Sequence, residues 1–306
     1  MKRILVVYYT QSGQLKEILD DFIQPFDSED YQITWHRIEP EEPYGFPWEP
    51  YAFFDAFPES VNEKPCALKK PEIEQEQQFD MVILGHQPWF LSPAIPVHSF
   101  LQTVYAQKWL KGSKVVTVIG ARNMWIGAQE SIKRSIDKLG GKLIANVVFR
   151  DRTENFTGIV TIARWLFTGK KRRVWGILPK PGVSDKDIGH AHVFGELIEK
   201  NWHEKIPDAL QTQIIDAGGT HLSAGLMSLE ERAKKIFKFW ATFIAKKGGP
   251  GDKARRHRIT FFRIYLPTGI TLFGPIILLL SSIFNLITIW RVKKRMAYYK
   301  SIRIKN

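Results

Sequence analysis

Short apolar runs alternate with helical patterns along the first half of the chain, and this alternation limits the available folds more than any other feature. The apolar runs are residues 4–9, 31–38, 79–85, 114–120 and 142–149. Continuous β-branched and aliphatic runs are typical of strands that are buried on both faces of a parallel sheet. Because helical segments separate these runs, the pattern predicts a doubly wound α/β fold with five parallel strands in the order 2-1-3-4-5.

The positive charge of the chain is concentrated at its carboxyl end. Residues 252–306 contain 12 basic residues and one acidic residue, so they contribute +11 of the formal net charge of +13. The same segment contains an uncharged run from Ile264 to Trp290, which would be about 40 Å long as a helix and therefore long enough to span a bilayer. Positive charge next to an apolar run of this length indicates that the partner of this segment is a membrane and not nucleic acid.

Basic residues flank the uncharged run on both sides, at 255–263 and 291–295. The positive-inside rule therefore gives no orientation for a span. Gly274–Pro275 lies near the middle of the run, and a proline inside a helix removes a hydrogen bond and favours a break. We predict a re-entrant hairpin of two short helices that enters one leaflet. A single tilted span and a soluble buried hairpin are the alternatives.

The sequence divides into three parts. Residues 1–247 are predicted to form the α/β domain, with insertions at 39–78 and 150–183. A linker of glycine and basic residues follows at 248–258, and 259–306 forms the membrane-associating segment. The single cysteine excludes an internal disulfide, and the apolar run after Met1 is too short for a signal peptide. We therefore expect the protein at the cytoplasmic face of the inner membrane.

The residues best suited to bind a ligand lie in three loops that follow predicted strands. Residues 10–14 have the sequence Thr-Gln-Ser-Gly-Gln between a buried strand and a helix, where backbone N–H groups and hydroxyls can hold a phosphate. Residues 85–93 and 120–125 follow the third and fourth strands and contain aromatic residues. If these are exposed at the edge of the sheet, they can stack on a flat conjugated ring. The alternatives are an ordinary serine-capped turn and aromatic residues, Trp89, Phe90 and Trp125, that pack in the core.

These three loops resemble the FMN-binding loops of flavodoxin-like NAD(P)H-dependent oxidoreductases. By that resemblance, the first loop would hold the FMN phosphate, the second would flank the isoalloxazine and the third would contact the ring edge. The residues implied are Thr10, Gln11, Ser12, Gly13 and Gln14 for the phosphate, Pro88, Trp89, Phe90 and Leu91 for the ring face, and Arg122, Asn123, Met124 and Trp125 for the edge. One departure is Leu15, where many family members have a threonine.

More narrowly, a flavodoxin-like domain with a basic hydrophobic tail resembles the bacterial dialkylresorcinol condensing enzymes. That resemblance implies an FMN-dependent oxidation of a lipid-like cyclohexanedione to an aromatic resorcinol, beside a ketosynthase partner. The use of NAD(P)H and a homodimeric state are left open. A membrane NAD(P)H:quinone or flavin reductase and a non-catalytic, membrane-tethered scaffold are the rival functions.

Catalytic residues are harder to assign. Tyr8, His86 and Arg122 are candidates because they lie near the predicted crevice. His190 and His192 lack a cysteine partner and a His-Glu-x-x-His helix, so we expect no metal site.

Overall fold

A five-stranded parallel sheet forms the centre of the molecule, in a computed structural model that describes residues 1–153, 155–173, 176–202 and 207–304. The strands of the chain are β1 (Lys2–Tyr8), β2 (Tyr31–Arg37), β3 (Met81–His86), β4 (Pro88–Trp89), β5 (Ser92–Pro93), β6 (Lys114–Ala121) and β7 (Lys142–Arg150). The sheet order is β2-β1-β3-β6-β7 with every pair parallel. These labels differ from the predicted numbering only because β4 and β5 form a separate antiparallel hairpin. The arrangement is that of a flavodoxin-like domain.

Helices cover both faces of the sheet, as the crossovers of a doubly wound fold require. The helices are α1 (Gln14–Phe22), α2 (Pro50–Asp55), α3 (Phe57–Val61), α4 (Ile95–Phe100), α5 (Val104–Leu110), α6 (Ile126–Lys138), α7 (Asn155–Thr168), α8 (Asp185–Ile188), α9 (His192–Asn201), α10 (Pro207–Asp216), α11 (Ala224–Ala245), α12 (Arg256–Ile287) and α13 (Ile289–Lys300). One face of the sheet packs against α1, α9 and α10, and the other packs against α4, α5 and α6. The alternate residues of each buried strand therefore enter two separate apolar cores.

The segment 39–78 is more ordered than the irregular insertion that we predicted. It contains α2 and α3, and the side chain of Glu49 caps α2 by accepting a hydrogen bond from the Ala52 N–H at 2.7 Å. Phe57 of α3 is completely buried and stacks on Phe262 of α12 at 4.0 Å between ring centroids. These helices are too short to show a periodic pattern in the sequence, and they are stabilised by contacts with the distant carboxyl-terminal segment.

The predicted break at Gly274–Pro275 is wrong, because α12 continues through both residues as one 32-residue helix. A proline removes one hydrogen bond of the helical ladder and its ring crowds the carbonyl four residues earlier, but here the bonds on either side maintain the helix. The helix begins at Arg256, inside the segment predicted as a linker. Within the described residues, we find no helix with the length and apolar character needed to span a bilayer.

The last helix, α13, returns to the α/β domain. Val292 is buried in an apolar cluster with Ile119 of β6 and Val148 of β7. The Tyr298 hydroxyl donates a hydrogen bond to Glu130 at 2.6 Å, and Gln211 Nε2 donates one to the Lys300 carbonyl at 2.9 Å. Helix α13 is therefore packed against the α/β domain.

Candidate functional site

A crevice lies at the carboxyl ends of β1, β3 and β6 and has a volume of about 250 Å³. Strands β2 and β3 lie on opposite sides of β1, so the connections between strands change direction there. The crevice therefore lies at the topological switch point of the sheet. In open α/β sheets, this is the position at which ligands bind. The three predicted loops all contribute to its lining, through Ser12, Trp89 and Arg122 among others.

The first loop opens α1 at its amino terminus. Gly13 occupies the N-cap position with φ of 90°, a left-handed conformation that favours glycine, and its N–H donates to Thr10 Oγ1 at 3.1 Å. A Cβ atom at Gly13 would meet no atom within 4 Å, so the space above this turn is open. Ser12 lines the crevice beside it. A hydroxyl and the first N–H groups of a helix thus face a space that an anion can enter.

The two glutamines of this loop have structural side-chain contacts. Gln11 Nε2 donates to the carbonyl groups of Tyr44 and Gly45, at 3.0 and 2.7 Å. The Gln14 amide donates to the Val183 carbonyl at 3.0 Å and accepts from the Val183 N–H at 2.9 Å. These bonds join the loop to both insertions. They leave Ser12 and the backbone N–H groups as the groups available for a phosphate, because Thr10 does not line the crevice and its Oγ1 accepts the Gly13 N–H.

Leu15, the departure from the resembling family, is a core residue. Its methyl groups lie 3.6 and 3.4 Å from the positions that Cβ atoms would occupy at Gly85 and Gly120. The side chain is 2% exposed and fills the space beneath two glycines at the strand ends. A threonine here would place a hydroxyl in this apolar contact, so packing accounts for the leucine.

The second loop is the β4–β5 hairpin, whose two turn residues are unusual. Phe90 and Leu91 have φ of 49° and 65°, whereas a two-residue turn with positive φ at both positions normally contains asparagine and glycine. Packing holds them there, because the Phe90 ring lies 4.7 Å from Phe53 and 5.1 Å from Phe57, and Leu91 is buried. Such strained residues concentrate at ligand sites, where the surrounding structure maintains them.

Aromatic side chains from the insertions form the apolar wall of the crevice. Phe46, Trp48 and Phe53 come from the first insertion and Trp165 comes from α7, all in the lining with Trp89. The Trp48 and Trp89 rings meet edge to face at 5.2 Å. None of the four insertion residues was predicted from the sequence to belong to the site. The density of aromatic residues in 39–78 was the available signal for three of them.

The third loop is divided between the crevice and the core. Arg122 lines the crevice, its Nη1 donates to Asn123 Oδ1 at 3.2 Å, and burial lowers its pKa although Asp151 opposes that shift. Asn123, Met124 and Trp125 do not line the crevice. Trp125 is completely buried, and its Nε1 donates to the His221 carbonyl at 3.4 Å. The structure therefore places Trp125 under the loop, away from any ring edge.

Neither Tyr8 nor His86 lines the crevice. The Tyr8 ring packs edge-on against Trp35, and burial raises its pKa. His86 is completely buried, its Nε2 lies 3.1 Å from Gln129 Oε1, and burial lowers its pKa to about 4. A neutral imidazole enclosed in the core cannot exchange protons with a substrate, so only Arg122 of the three candidates stands at the site. Across the described ranges, no group of three or more potential ligands forms a metal site.

A carboxylate from α11 supports the second and third loops, and the sequence analysis missed it. Glu230 Oε1 accepts a hydrogen bond from the Gly127 N–H at the start of α6, at 2.7 Å. Gly127 also lies close to the hairpin, because a Cβ atom there would be 2.5 Å from the Leu91 carbonyl oxygen. The local sequence of α11 gave no indication of this role, since it depends on a contact across 103 residues.

The replacement Gly127→Ala is expected to destabilise the protein by about 1–3 kcal/mol, because the new methyl group would overlap the Leu91 backbone and displace the hairpin. Urea unfolding of the two proteins measures the change. Gly269→Ala is the matched control, since it also lies in a helix but has open space around it. It should be neutral or stabilising by up to about 1 kcal/mol. Equal effects of the two substitutions would contradict the close contact.

No family model and no curated protein matches the sequence. Among solved structures, the chain is similar to a flavoprotein in complex with FMN from Lactobacillus acidophilus, with 15% identity, a TM-score of 0.39, and coverage of 48% of this chain and 93% of that one. It is also similar to a flavodoxin from the domain Archaea, with 12% identity, a TM-score of 0.36, and coverage of 66% and 99%. A flavodoxin, WrbA-like protein from Agrobacterium tumefaciens has 11% identity, a TM-score of 0.34, and coverage of 64% and 93%. The fold assignment rests on the strand order described above.

Proposed function

We propose that the crevice binds FMN and that the protein is a flavin-dependent oxidoreductase. One observation carries this proposal: a single cavity at the switch point has an anion-accepting turn in its lining together with several aromatic rings. A phosphate monoester joined to a flat conjugated ring needs both kinds of surface. Bound FMN would supply the ability to exchange a hydride equivalent with an organic substrate.

The residues of the crevice have separate tasks under this proposal. Ser12 and the N–H groups that open α1 would bind the phosphate, and Thr10 would hold the turn through its bond with the Gly13 N–H. Trp89, Trp165 and the first-insertion aromatics would hold the ring and exclude water from it. Arg122 brings positive charge to the same lining and would stabilise negative charge on the ring or on a substrate oxygen. The enclosed His86 takes no part.

For the substrate, we propose a lipid-like cyclic ketone that is oxidised to an aromatic ring, as the narrower resemblance implies. The apolar wall of the crevice supports an apolar substrate. Reduction of a lipid quinone by NAD(P)H would use the same surfaces. The two activities are separated by assaying flavin-loaded protein with a long-chain cyclohexanedione under air, and with a quinone and NAD(P)H.

A non-catalytic scaffold is the second candidate, and a specific observation favours it. The side chains of Gln11 and Gln14 are bound to the insertions, so they are not available to a phosphate. Flavin binding decides between this candidate and the oxidoreductase.

We expect the purified chain to retain FMN after removal of excess ligand, and Ser12→Trp to weaken its binding at least about tenfold, because the indole would fill the open turn. Flavin absorbance and fluorescence titration measure the binding. Ser28→Trp is the matched control, since Ser28 is exposed and precedes β2 at the opposite edge of the sheet. Absence of flavin binding in the unmodified chain, with normal folding by circular dichroism, would favour the scaffold.

A further inference from the structure

The middle of α12 is apolar on all sides and yet lies outside the core. Between Arg263 and Leu279, no side chain that the structure describes is buried. Leu272, Ile276 and Leu279 are 61%, 54% and 63% exposed. A helix that is apolar all round is normally enclosed by protein or by lipid. An exposed apolar surface of this extent in a soluble environment marks an interaction site.

Contacts with α11 hold α12 on either side of this exposed part. Ser228 bonds to Asn285 at 3.1 Å, and Trp240 packs against Tyr265 at 4.8 Å between ring centroids. Ser228 and Trp240 are separated by about 18 Å of helix, whereas Tyr265 and Asn285 are separated by about 30 Å. Among the residues whose side chains the structure describes, none from Pro267 to Leu279 belongs to an apolar cluster of the core. We call residues 267–280 the arch.

Positive charge surrounds the arch. Arg258 and Arg263 precede it, and the exposed Arg291, Lys293 and Lys294 follow it on α13. From Lys253 to the end of the chain, the sequence contains no acidic residue. The apolar arch and its basic flanks together have the composition of an element that lies in a membrane interface.

A basic groove extends this surface along α11. Basic residues outnumber acidic ones in its lining, which has Arg134, Lys234, Lys235, Lys238 and Lys246 against Glu63 and Glu231, beside the exposed rings of Phe239 and Phe243. The Arg258 guanidinium stands 3.8 Å from the centre of the Phe243 ring, so the groove is continuous with the start of α12. Ammonium groups next to exposed aromatic rings fit anionic headgroups above an acyl layer.

We propose that the arch and the basic groove dock the protein in the plane of an anionic lipid bilayer, with the arch inserted among the acyl chains of one leaflet. Charge complementarity favours lipid over a second copy of the chain, because pairing two copies through this surface would bring two segments of +11 together. The docking requires no bound flavin, so it stands independently of the proposed oxidoreductase function.

Flotation with vesicles tests the docking, using the full chain diluted from detergent. Vesicles of phosphatidylcholine mixed with phosphatidylglycerol should bind at least about tenfold more protein than vesicles of phosphatidylcholine alone, and raised salt should reduce that preference. The double variant Leu272→Asp, Ile276→Asp should lose binding at least about tenfold. The double variant Lys293→Gln, Lys294→Gln should bind both vesicle types more equally.

The matched control is Val104→Asp, Ile177→Asp, which changes two exposed apolar residues outside the arch and the groove and should bind as the unmodified chain does. Unfolding midpoints establish that the variants are folded. Equal binding of the unmodified chain to both vesicle types, or to neither, would overturn the proposal. So would a lipid-free dimer that the Leu272→Asp, Ile276→Asp variant dissociates, because the surface would then serve a second copy. Flavin retention is measured separately, so its failure leaves this result unaffected.

Discussion

Replacing Arg255 with methionine is expected to lower the free energy of unfolding by about 3–5 kcal/mol, because it leaves the buried carboxylate of Asp55 and the partly buried carboxylate of Glu59 without their partner. Arg255 is completely buried, and its guanidinium donates to Asp55 Oδ1 at 2.8 Å, to Glu59 Oε1 at 2.7 Å and to the Asp55 carbonyl at 2.6 Å. Asp55 belongs to α2 and Glu59 to α3, so this one side chain joins the first insertion to the start of α12.

Urea unfolding measures the loss, with Lys253→Met as the control, because Lys253 is exposed two residues earlier. The triple variant Arg255→Met, Asp55→Asn, Glu59→Gln should recover much of the lost stability, since it removes the uncompensated charges together with the arginine. If Arg255→Met cost no more than Lys253→Met, the buried ion pairs would not be present in solution.

The second large effect concerns Glu230 and pH. Burial raises the pKa of this carboxyl to about 7, although its backbone hydrogen bond from Gly127 opposes the shift. The folded protein therefore holds a proton that the unfolded chain releases near its ordinary pKa of 4.5. The stability that this group contributes is fully present below pH 4.5 and is lost as the pH rises to about 7. The difference corresponds to roughly 3 kcal/mol.

The comparison with Glu230→Gln isolates this contribution. His86 and His98 have pKa values lowered to about 4 by burial, so they give stability that rises with pH over an overlapping range. That opposite slope is common to both proteins and cancels in the difference between their unfolding free energies. The difference should fall by roughly 3 kcal/mol from pH 4.5 to 7 and stay level above pH 7. A difference that does not vary with pH would contradict a protonated, buried Glu230, and Glu29→Gln provides an exposed control.

The elements that depend on interactions between residues close in sequence could be predicted from the sequence. The buried strands have continuous apolar runs, and the turn at Gly13 has the residues that open a helix, so both could be recognised without tertiary information. The role of Trp125 could not, because a tryptophan at a strand end suits a ligand and a core equally well. Its contact with the His221 carbonyl joins segments 96 residues apart.

The same reason explains the errors in the insertions and the tail. α2 and α3 depend on Arg255 and Phe262, which lie about two hundred residues further along the chain. From the sequence, Glu230 would be predicted to lie on the surface of an amphipathic helix. Its burial follows from the packing of α11 against α6. In each case the decisive contact is long-range, and neither spacing nor composition encodes it.

Because α13 packs against the sheet, it limits the ways in which the solubility of the protein can be improved. Truncation before the apolar helix would be the ordinary way to improve solubility, but it would also delete Val292 from a buried cluster and remove the carbonyl that Gln211 binds. A shortened protein would expose apolar surface of β6 and β7, and this newly exposed surface would favour aggregation. Solubility should instead be sought by polar substitution of exposed arch positions, with the last helix left in place.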